Sequence, residues 1–258
     1  KAQPFSGGNG ALHITSDGDI ANYPEIRKEL EKAGYVFKSD SDGELIIHAY
    51  EKWGRECVKR LNGAWAFALW DDREKMLFCS RDRLGIRPFY YHWDGKRLSF
   101  ASEIKSLLAA KTLRPAVDRE GLRQYLSLQF CLGGQTLYRG LKKLKAGYNL
   151  VFRTGKQPVE KQYWDLEFDV DEKHGEAYFV EKTKWLLDDC VKTRLYADAP
   201  VVGIYLSGGL DSSTVACLHR KFVKDVPMIA FSGAFKGGSR YDETPYSSLV
   251  AKKIGAEH

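Results

Sequence analysis

The chain has 258 residues and a formal net charge of +6, spread without a basic stripe, which argues against nucleic acid as a partner. Its five cysteines are odd in number, scattered and without CxxC spacing, which indicates neither a disulfide framework nor a zinc site. No apolar run approaches the roughly 20 residues of a membrane helix and no secretory signal opens the sequence, so we expect a cytoplasmic protein with room for two domains.

The first part of the chain predicts an α+β unit built on an antiparallel sheet. The elements predicted in order are a strand over 11–14, a turn over 16–19, a helix over 23–33, a second helix capped by 39–42, strands over 64–70 and 76–80, and a strand pair at 90–91 and 98–101 around Asp94 and Gly95.

The second part predicts strands that alternate with helices, and therefore a parallel sheet with ligands at the carboxyl ends of its strands. A helix over 119–128 and a turn over 145–147 precede this part. Its own predicted elements, in order, are an exposed loop over 169–174, a helix over 176–194, a strand over 201–206, a helix beginning near Ser212 and a strand over 226–231.

The junction between the strand over 201–206 and the following helix is the most informative stretch. Gly208 and Gly209 allow the backbone to approach a bound group, and Ser207, Ser212 and the amides of the helix start offer donors to an anion. Asp211 would repel phosphate, so its presence indicates a bridging Mg²⁺. The alternative is a tight turn in which Asp211 and Ser212 only cap the helix.

Residues 206–213, Leu-Ser-Gly-Gly-Leu-Asp-Ser-Ser, resemble the pyrophosphate loop (PP-loop) of the ATP-pyrophosphatase superfamily. Strings earlier in the chain resemble the class II glutamine amidotransferase domain, and they occupy residues 17–23, 41–44, 61–68, 81–88 and 100–105. In this order the strings resemble the glutamine-hydrolysing asparagine synthetase family, with the chain incomplete at both ends.

The resemblance implies an α+β amidotransferase domain, an Ntn-hydrolase-like αββα sandwich, followed by the start of an α/β ATP-pyrophosphatase domain with a parallel sheet. We assign residues 1–150 to the amidotransferase domain, 151–175 to a linker and 176–258 to the ATP-binding domain. We expect Arg81, Asp82 and Arg87 to form a buried ion-pair network that supports the first domain.

The resemblance also implies a glutamine site that contains Asp17, Gly18, Asp19 and Asp42. Gly18 matches a glycine whose amide faces glutamine, Asp42 matches the acid that holds the α-ammonium, and Asp17 stands where the family has an oxyanion-stabilising asparagine. A solvated turn for Asp17 and Asp19, and a helix cap for Asp42, are equally compatible with the sequence. The family's nucleophile is an N-terminal cysteine. The sequence starts at Lys1 and its five cysteines are all internal, so no catalytic residue is assigned in this chain.

For ATP, the resemblance implies contacts from Leu206, Ser207, Gly208, Gly209, Asp211, Ser212 and Gly233, with Mg²⁺ reached by Asp211 through pyrophosphate. The expected function is an ATP-dependent carbon–nitrogen ligase that takes glutamine, aspartate and ATP, and a homodimer is the expected assembly. Two alternatives stay open: a cyclising enzyme similar to β-lactam synthetase, and a non-catalytic relative that binds nucleotide.

Overall fold

The structure is a computed structural model and describes residues 3–111, 113–195, 200–234 and 242–258. The chain divides into two compact units, residues 1–168 and residues 169–258. No helix in these described ranges is long and apolar enough to cross a membrane.

The described part of the first unit contains two antiparallel sheets and four α-helices. Its strands are β1 (Phe5–Gly7), β2 (Leu12–Ile20), β3 (Gly63–Asp71), β4 (Met76–Arg81), β5 (Tyr90–Trp93), β6 (Leu98–Ala101), β7 (Leu141–Lys143), β8 (Tyr148–Arg153) and β9 (Val159–Gln162), and its helices are α1 (Tyr23–Lys32), α2 (Asp42–Trp53), α3 (Ile104–Ala109) and α4 (Arg119–Leu128). The larger sheet has the strand order β1-β2-β3-β4-β8-β9, and the smaller has the order β6-β5-β7.

Strand β3 shows why the unit forms layers, since both of its faces are buried. Trp65 and Phe67 pack with the apolar side chains of α1 and α2, while Ala66 and Ala68 pack in a second cluster with Phe89 and with Tyr91 of the smaller sheet. Successive side chains of a strand point to opposite faces, so this apolar run serves two cores. With α3 packed on β5 and β6, the order of layers is helices, sheet, sheet, helix, which confirms the expected αββα sandwich.

The second unit contains α5 (Glu176–Lys192), β10 (Val202–Tyr205), α6 (Leu210–Phe222), β11 (Met228–Phe231) and α7 (Thr244–Ile254). β10 and β11 pair in parallel, as predicted, with Val202 opposite Met228 and Tyr205 opposite Phe231. Side chains from the sheet, α6 and α7 form one small core around Leu206, Ala216 and Ala251.

Strand β2 continues through residues 16–19, where we predicted a turn, and that prediction was wrong. Asp17 lies opposite Ala66 and Gly18 opposite Trp65 in the ladder with β3. An Asp-Gly-Asp sequence is typical of turns, but here the glycine serves a close approach of two strands. Gly18 has φ +137°, and a Cβ atom on it would lie 2.0 Å from the carbonyl oxygen of Ala64.

The first unit also extends beyond residue 150, where we placed its boundary. Residues 151–153 complete β8, and residues 159–162 form β9, which pairs with β8 in the larger sheet. β9 is an edge strand of mostly exposed residues, so it lacks the apolar alternation by which a strand is recognised in a sequence. The structure therefore places the division between the units after Phe168.

Candidate functional site

A cleft of about 330 Å³ opens beside β2 in the first unit. Gly18 lines it from the strand, and Asp42 and Gly43 line it from the first turn of α2. β1 pairs only with residues 12–14 of β2, so the edge of β2 beyond Ile14 faces this cleft. The fold therefore brings together Gly18 and Asp42, two of the four residues assigned from the sequence to glutamine binding.

On either side of Gly18, the backbone at the open edge of β2 is hydrogen-bonded to a side chain. The Gln3 side chain accepts a hydrogen bond from the Ser16 amide at 2.9 Å and donates one to the Ser16 carbonyl at 2.8 Å. The Ile20 amide donates to Oδ1 of Asp42 at 3.4 Å. Alternate residues of an antiparallel strand direct their amide and carbonyl groups to the same edge. The backbone of Gly18 therefore faces the cleft between Gln3 and Asp42, where an ammonium group and a carbonyl group could both be bound.

The carboxylate of Asp42 has a pKa raised to about 6. Burial is the main cause and the negative charge of Asp19 adds to it, while the hydrogen bond from Ile20 acts in the opposite direction. Asp19 therefore influences this cleft through its charge. An ammonium ligand beside Asp42 would offset both unfavourable effects and favour the ionised carboxylate.

Asp17 lies in a second cleft, of about 340 Å³, on the side of β2 that faces the smaller sheet. Gln3 and Ser16 line both clefts, so the two adjoin. Oδ1 of Asp17 lies 3.7 Å from Nη1 of Arg87. Within the described residues, Nε of Arg87 is buried without a hydrogen-bond partner. A positive group thus accompanies the carboxylate that stands where the resemblance implies an asparagine.

Arg81, Asp82 and Arg87 do not form the buried ion-pair network that we expected. The Arg81 guanidinium donates to the carbonyl groups of Gly85, Arg87 and Leu144. The Asp82 carboxylate accepts from the amides of Trp65, Leu84, Ile86 and Arg87. The loop between β4 and β5 has no regular ladder to satisfy its backbone, so each buried charge is paired with backbone dipoles instead.

Sequence reasoning missed Glu44, which holds the segment that carries Ser41 and Asp42. Its carboxylate accepts from the Lys38 amide at 2.7 Å and from the Ser39 hydroxyl at 2.6 Å. Ser41 is the N-cap of α2, and its hydroxyl accepts from the Glu44 amide. The Ser-x-x-Glu spacing of a capping box was the available signal. For Gln3, which anchors the strand edge, no sequence signal was available.

In the second unit, residues 207–209 form the loop between β10 and α6. Ser207 and Ser212 bridge it: their hydroxyl oxygens lie 3.0 Å apart, and the Ser207 amide donates to Oγ of Ser212 at 3.2 Å. The N-cap of α6 is Gly209, so Asp211 and Ser212 do not have the simple capping role considered as an alternative. Gly208 has φ +86°, and a Cβ atom on it would lie 2.6 Å from the Ser247 amide nitrogen.

The first residues of α6 are exposed and follow the carboxyl end of β10, and the start of a helix is suited to an anion. Asp211 occupies the first turn of α6 and is exposed. Leu206 directly follows β10 and is buried, and its amide donates to the Phe231 carbonyl at 2.9 Å. Exposed Gly233 follows β11 two residues later. The sheet thus brings the residues assigned to ATP to the ends of two neighbouring strands.

The described ranges contain no cluster of side chains suited to a metal ion and no disulfide. No group of three or more His, Cys, Asp or Glu side chains there could hold a metal ion. All five cysteines are free, and Cys57 and Cys79 are buried in the two cores of the first unit. Burial raises the pKa of the Cys57 thiol to about 12, so this thiol stays protonated near neutral pH.

Comparison with known proteins matches both units to families. The glutamine amidotransferase domain family matches residues 1–164, and the asparagine synthase family matches residues 182–258. A protein of Methanocaldococcus jannaschii, named as a candidate glutamine-hydrolysing asparagine synthetase, is 39% identical over 95% of this chain and 47% of its own length. Asparagine synthetase [glutamine-hydrolyzing] 3 of Bacillus subtilis is 32% identical over 95% of this chain and 42% of its own length.

The chain therefore spans less than half the length of these relatives. Among solved structures, the glutamine phosphoribosylpyrophosphate amidotransferase from B. subtilis covers 93% of this chain at 16% identity, with a TM-score of 0.46. The two family matches fall one in each compact unit: the amidotransferase match lies in the two-sheet sandwich, and the asparagine synthase match contains the parallel strands. The chain belongs to the glutamine amidotransferase domain family, in the arrangement in which that domain precedes an asparagine synthase domain.

Proposed function

We propose that the protein to which this chain belongs is a glutamine-hydrolysing asparagine synthetase. It would use ATP to convert aspartate to β-aspartyl-AMP and release pyrophosphate. Ammonia from glutamine would then displace AMP and give asparagine. The observation that carries the proposal is that one chain joins an amidotransferase domain match to an asparagine synthase match, and that the second match contains the loop at residues 207–209 and the start of α6.

In the first unit, we assign the open edge of β2 to glutamine. The ionised carboxylate of Asp42 would hold the α-ammonium group, and the backbone of Gly18 would face the bound amino acid. Asp19 would add negative charge nearby, and Asp17 would lie at the oxyanion side. Gln3 and Glu44 would position this site by holding the strand edge and the segment before α2.

In the second unit, Ser207, Gly208, Gly209 and Ser212 would hold the pyrophosphate portion of ATP, with Leu206 and Gly233 on the adenine side. A carboxylate oxygen of aspartate would attack the α-phosphorus, and the bond to pyrophosphate would break. Ammonia would then attack the acyl carbon, lose a proton and expel AMP. Asp211 offers the hard carboxylate oxygen that Mg²⁺ prefers, and the ion would neutralise phosphate charge when bound.

The direct test is to incubate the full protein with aspartate, ATP, Mg²⁺ and either glutamine or ammonium, and to quantify asparagine, AMP and pyrophosphate. Equal amounts of the three products with both nitrogen donors are expected. Release of ADP and phosphate instead, or no aspartate-dependent pyrophosphate, would refute the proposal.

Asp17 favours a second candidate, in which the first unit no longer hydrolyses glutamine. A carboxylate at the oxyanion position would oppose the developing negative charge, although Arg87 lies beside it. Such a protein would use free ammonium, cyclise a substrate that carries its own amine, or bind nucleotide without turnover. Asparagine formation with ammonium but not with glutamine would select the first of these options.

We also propose a cytoplasmic homodimer, on the basis of the resemblance and the ordinary composition of the chain. Sedimentation velocity of the full protein measures this assembly directly. A single species at the protomer mass across a range of micromolar concentrations would contradict it.

A further inference from the structure

The peptide group between Leu206 and Ser207 opens the loop at residues 207–209, and it is held from both of its ends. The Ser207 amide donates to Oγ of Ser212 at 3.2 Å. The Leu206 carbonyl accepts from the hydroxyl group of Ser232 at 2.5 Å. Because a peptide group is planar, fixing its carbonyl also fixes the direction of the following amide.

Ser232 is in turn connected to His258 and α7. Nε2 of His258 lies 2.7 Å from Oγ of Ser232, and Nδ1 lies 3.1 Å from Oγ of Ser248. The single hydrogen of the Ser232 hydroxyl is donated to the Leu206 carbonyl. In its hydrogen bond with His258, Ser232 is therefore the acceptor and Nε2 is the donor. In the tautomer that carries its hydrogen on Nε2, Nδ1 accepts from Ser248. These three side chains form a hydrogen-bond relay with a defined direction, from Ser248 through His258 and Ser232 to Leu206.

The backbone around the relay keeps its members in place. Glu257 pairs with β11, accepting from the Ala230 amide at 2.6 Å and donating to the Met228 carbonyl at 2.9 Å. His258 is therefore set beside the carboxyl end of β11. The first turn of α7 also lies against the loop, since Ser247 leaves no room for a Cβ atom on Gly208. Ser247 is fully buried, and its Oγ lies 3.4 Å from Nε2 of His258.

We propose that Ser232 and His258 are positioning residues for the phosphate groups of a bound nucleotide. This inference rests on the proposed nucleotide site, but neither residue belongs to the contacts assigned to ATP. The relay orients the first peptide group of the loop, and the loop's amides then face the pyrophosphate portion of the ligand. Its loss changes recognition of the β- and γ-phosphates and leaves recognition of the nucleoside largely intact.

The test measures dissociation constants of Mg-ATP and of AMP for the full protein and its variants. Ser232→Ala should weaken ATP binding by about fivefold, as expected for one lost hydrogen bond, and should change AMP binding by less than about twofold. His258→Ala should behave in the same way. His258→Gln, whose amide can replace the Nε2 donor, should restore most of the ATP affinity.

The double variant Ser232→Ala/His258→Ala should bind ATP no more weakly than either single variant, because both act through one relay. Thr193→Ala removes an exposed hydroxyl group from the end of α5, and it should leave both constants unchanged. If Ser232→Ala does not fold, Ser248→Ala tests the relay at its far end and should show the same selective loss.

Variants that bind ATP as the parent does, or that lose ATP and AMP affinity equally, would refute the relay while leaving the nucleotide site intact. Additive effects in the double variant would also overturn it. A parent protein that binds neither ATP nor AMP would instead refute the proposed nucleotide site, and the relay with it. The parent measurement therefore decides the first question, and the comparison among variants decides the second.

Discussion

Asp42 carries a carboxyl group whose pKa burial and the charge of Asp19 raise to about 6. If glutamine binds through this carboxylate, kcat/KM for glutamine should fall as the pH decreases below about 6, approaching tenfold per pH unit, since this ratio reports the free enzyme. Asp42→Asn should lower kcat/KM at neutral pH and remove this dependence. An acidic limb unchanged in the variant would contradict the assignment.

The same residue gives a stability control with a definite sign. The folded protein holds the proton of Asp42 more tightly than the unfolded chain does. The free energy of unfolding therefore decreases as the pH rises from the ordinary carboxyl pKa to about 6. Asp42→Asn should therefore raise the urea midpoint of unfolding at neutral pH. The difference between variant and parent should vanish below about pH 3, where Asp42 is protonated in both the folded and the unfolded chain.

Asp17 should limit glutamine hydrolysis through its charge. Asp17→Asn replaces a carboxylate with an amide donor, and removal of one oxyanion donor from an active site typically costs a factor of roughly 100 to 1,000 in kcat. Arg87 already offsets part of the charge, so we expect a smaller gain in glutaminase kcat, about tenfold, with KM little changed. The measurement is glutamate release; a variant no faster than the parent would contradict the prediction.

At the scale of elements, the close contact of β2 and β3 at Gly18 should be intolerant of any side chain. Gly18→Ala places a Cβ atom 2.0 Å from the Ala64 carbonyl oxygen at a φ of +137°, and the strands must separate. We expect a loss of about 2–4 kcal/mol in the free energy of unfolding, measured by urea titration.

Gly95 provides the matched control for this substitution. Its φ is +94°, and nothing lies within 4 Å of the Cβ position. Gly95→Ala should therefore cost only the backbone strain, about 1 kcal/mol. Equal losses in the two variants would show that φ alone, and not the approach of β3, requires glycine at position 18.

Elements with strong patterns were predictable, and elements defined by their neighbours were not. The continuous apolar run of β3 and the glycine loop before α6 have local signals, so the sequence indicates both. The extension of β2 depends on pairing with distant β3, and the exposed edge strand β9 has no alternation to reveal it. The same distinction holds at the site: Gly18 and Asp42 lie in recognisable strings, whereas Gln3 acts through bonds to a strand 13 residues away.

At the scale of the whole molecule, the proposed reaction divides between two units that can be inactivated separately. Asp42→Asn should abolish most glutamine-dependent asparagine formation while leaving ammonium-dependent formation within about twofold. Asp211→Asn should reduce both, by about 100-fold, if its carboxylate holds the metal that neutralises pyrophosphate. Equal loss with both nitrogen donors in Asp42→Asn would contradict this division.

The loop between β4 and β5 contains no helix or strand, yet several of its backbone amides are hydrogen-bonded as they would be in one. Leu84 and Ile86 expose 68% and 58% of their surface, yet both donate their amides to the carboxylate of Asp82, which is 1% exposed. In this loop, the exposure of a side chain should therefore not predict how fast the backbone amide of the same residue exchanges its hydrogen. We expect these amides to exchange with deuterium as slowly as those of neighbouring strands, and Asp82→Asn to accelerate exchange throughout the loop.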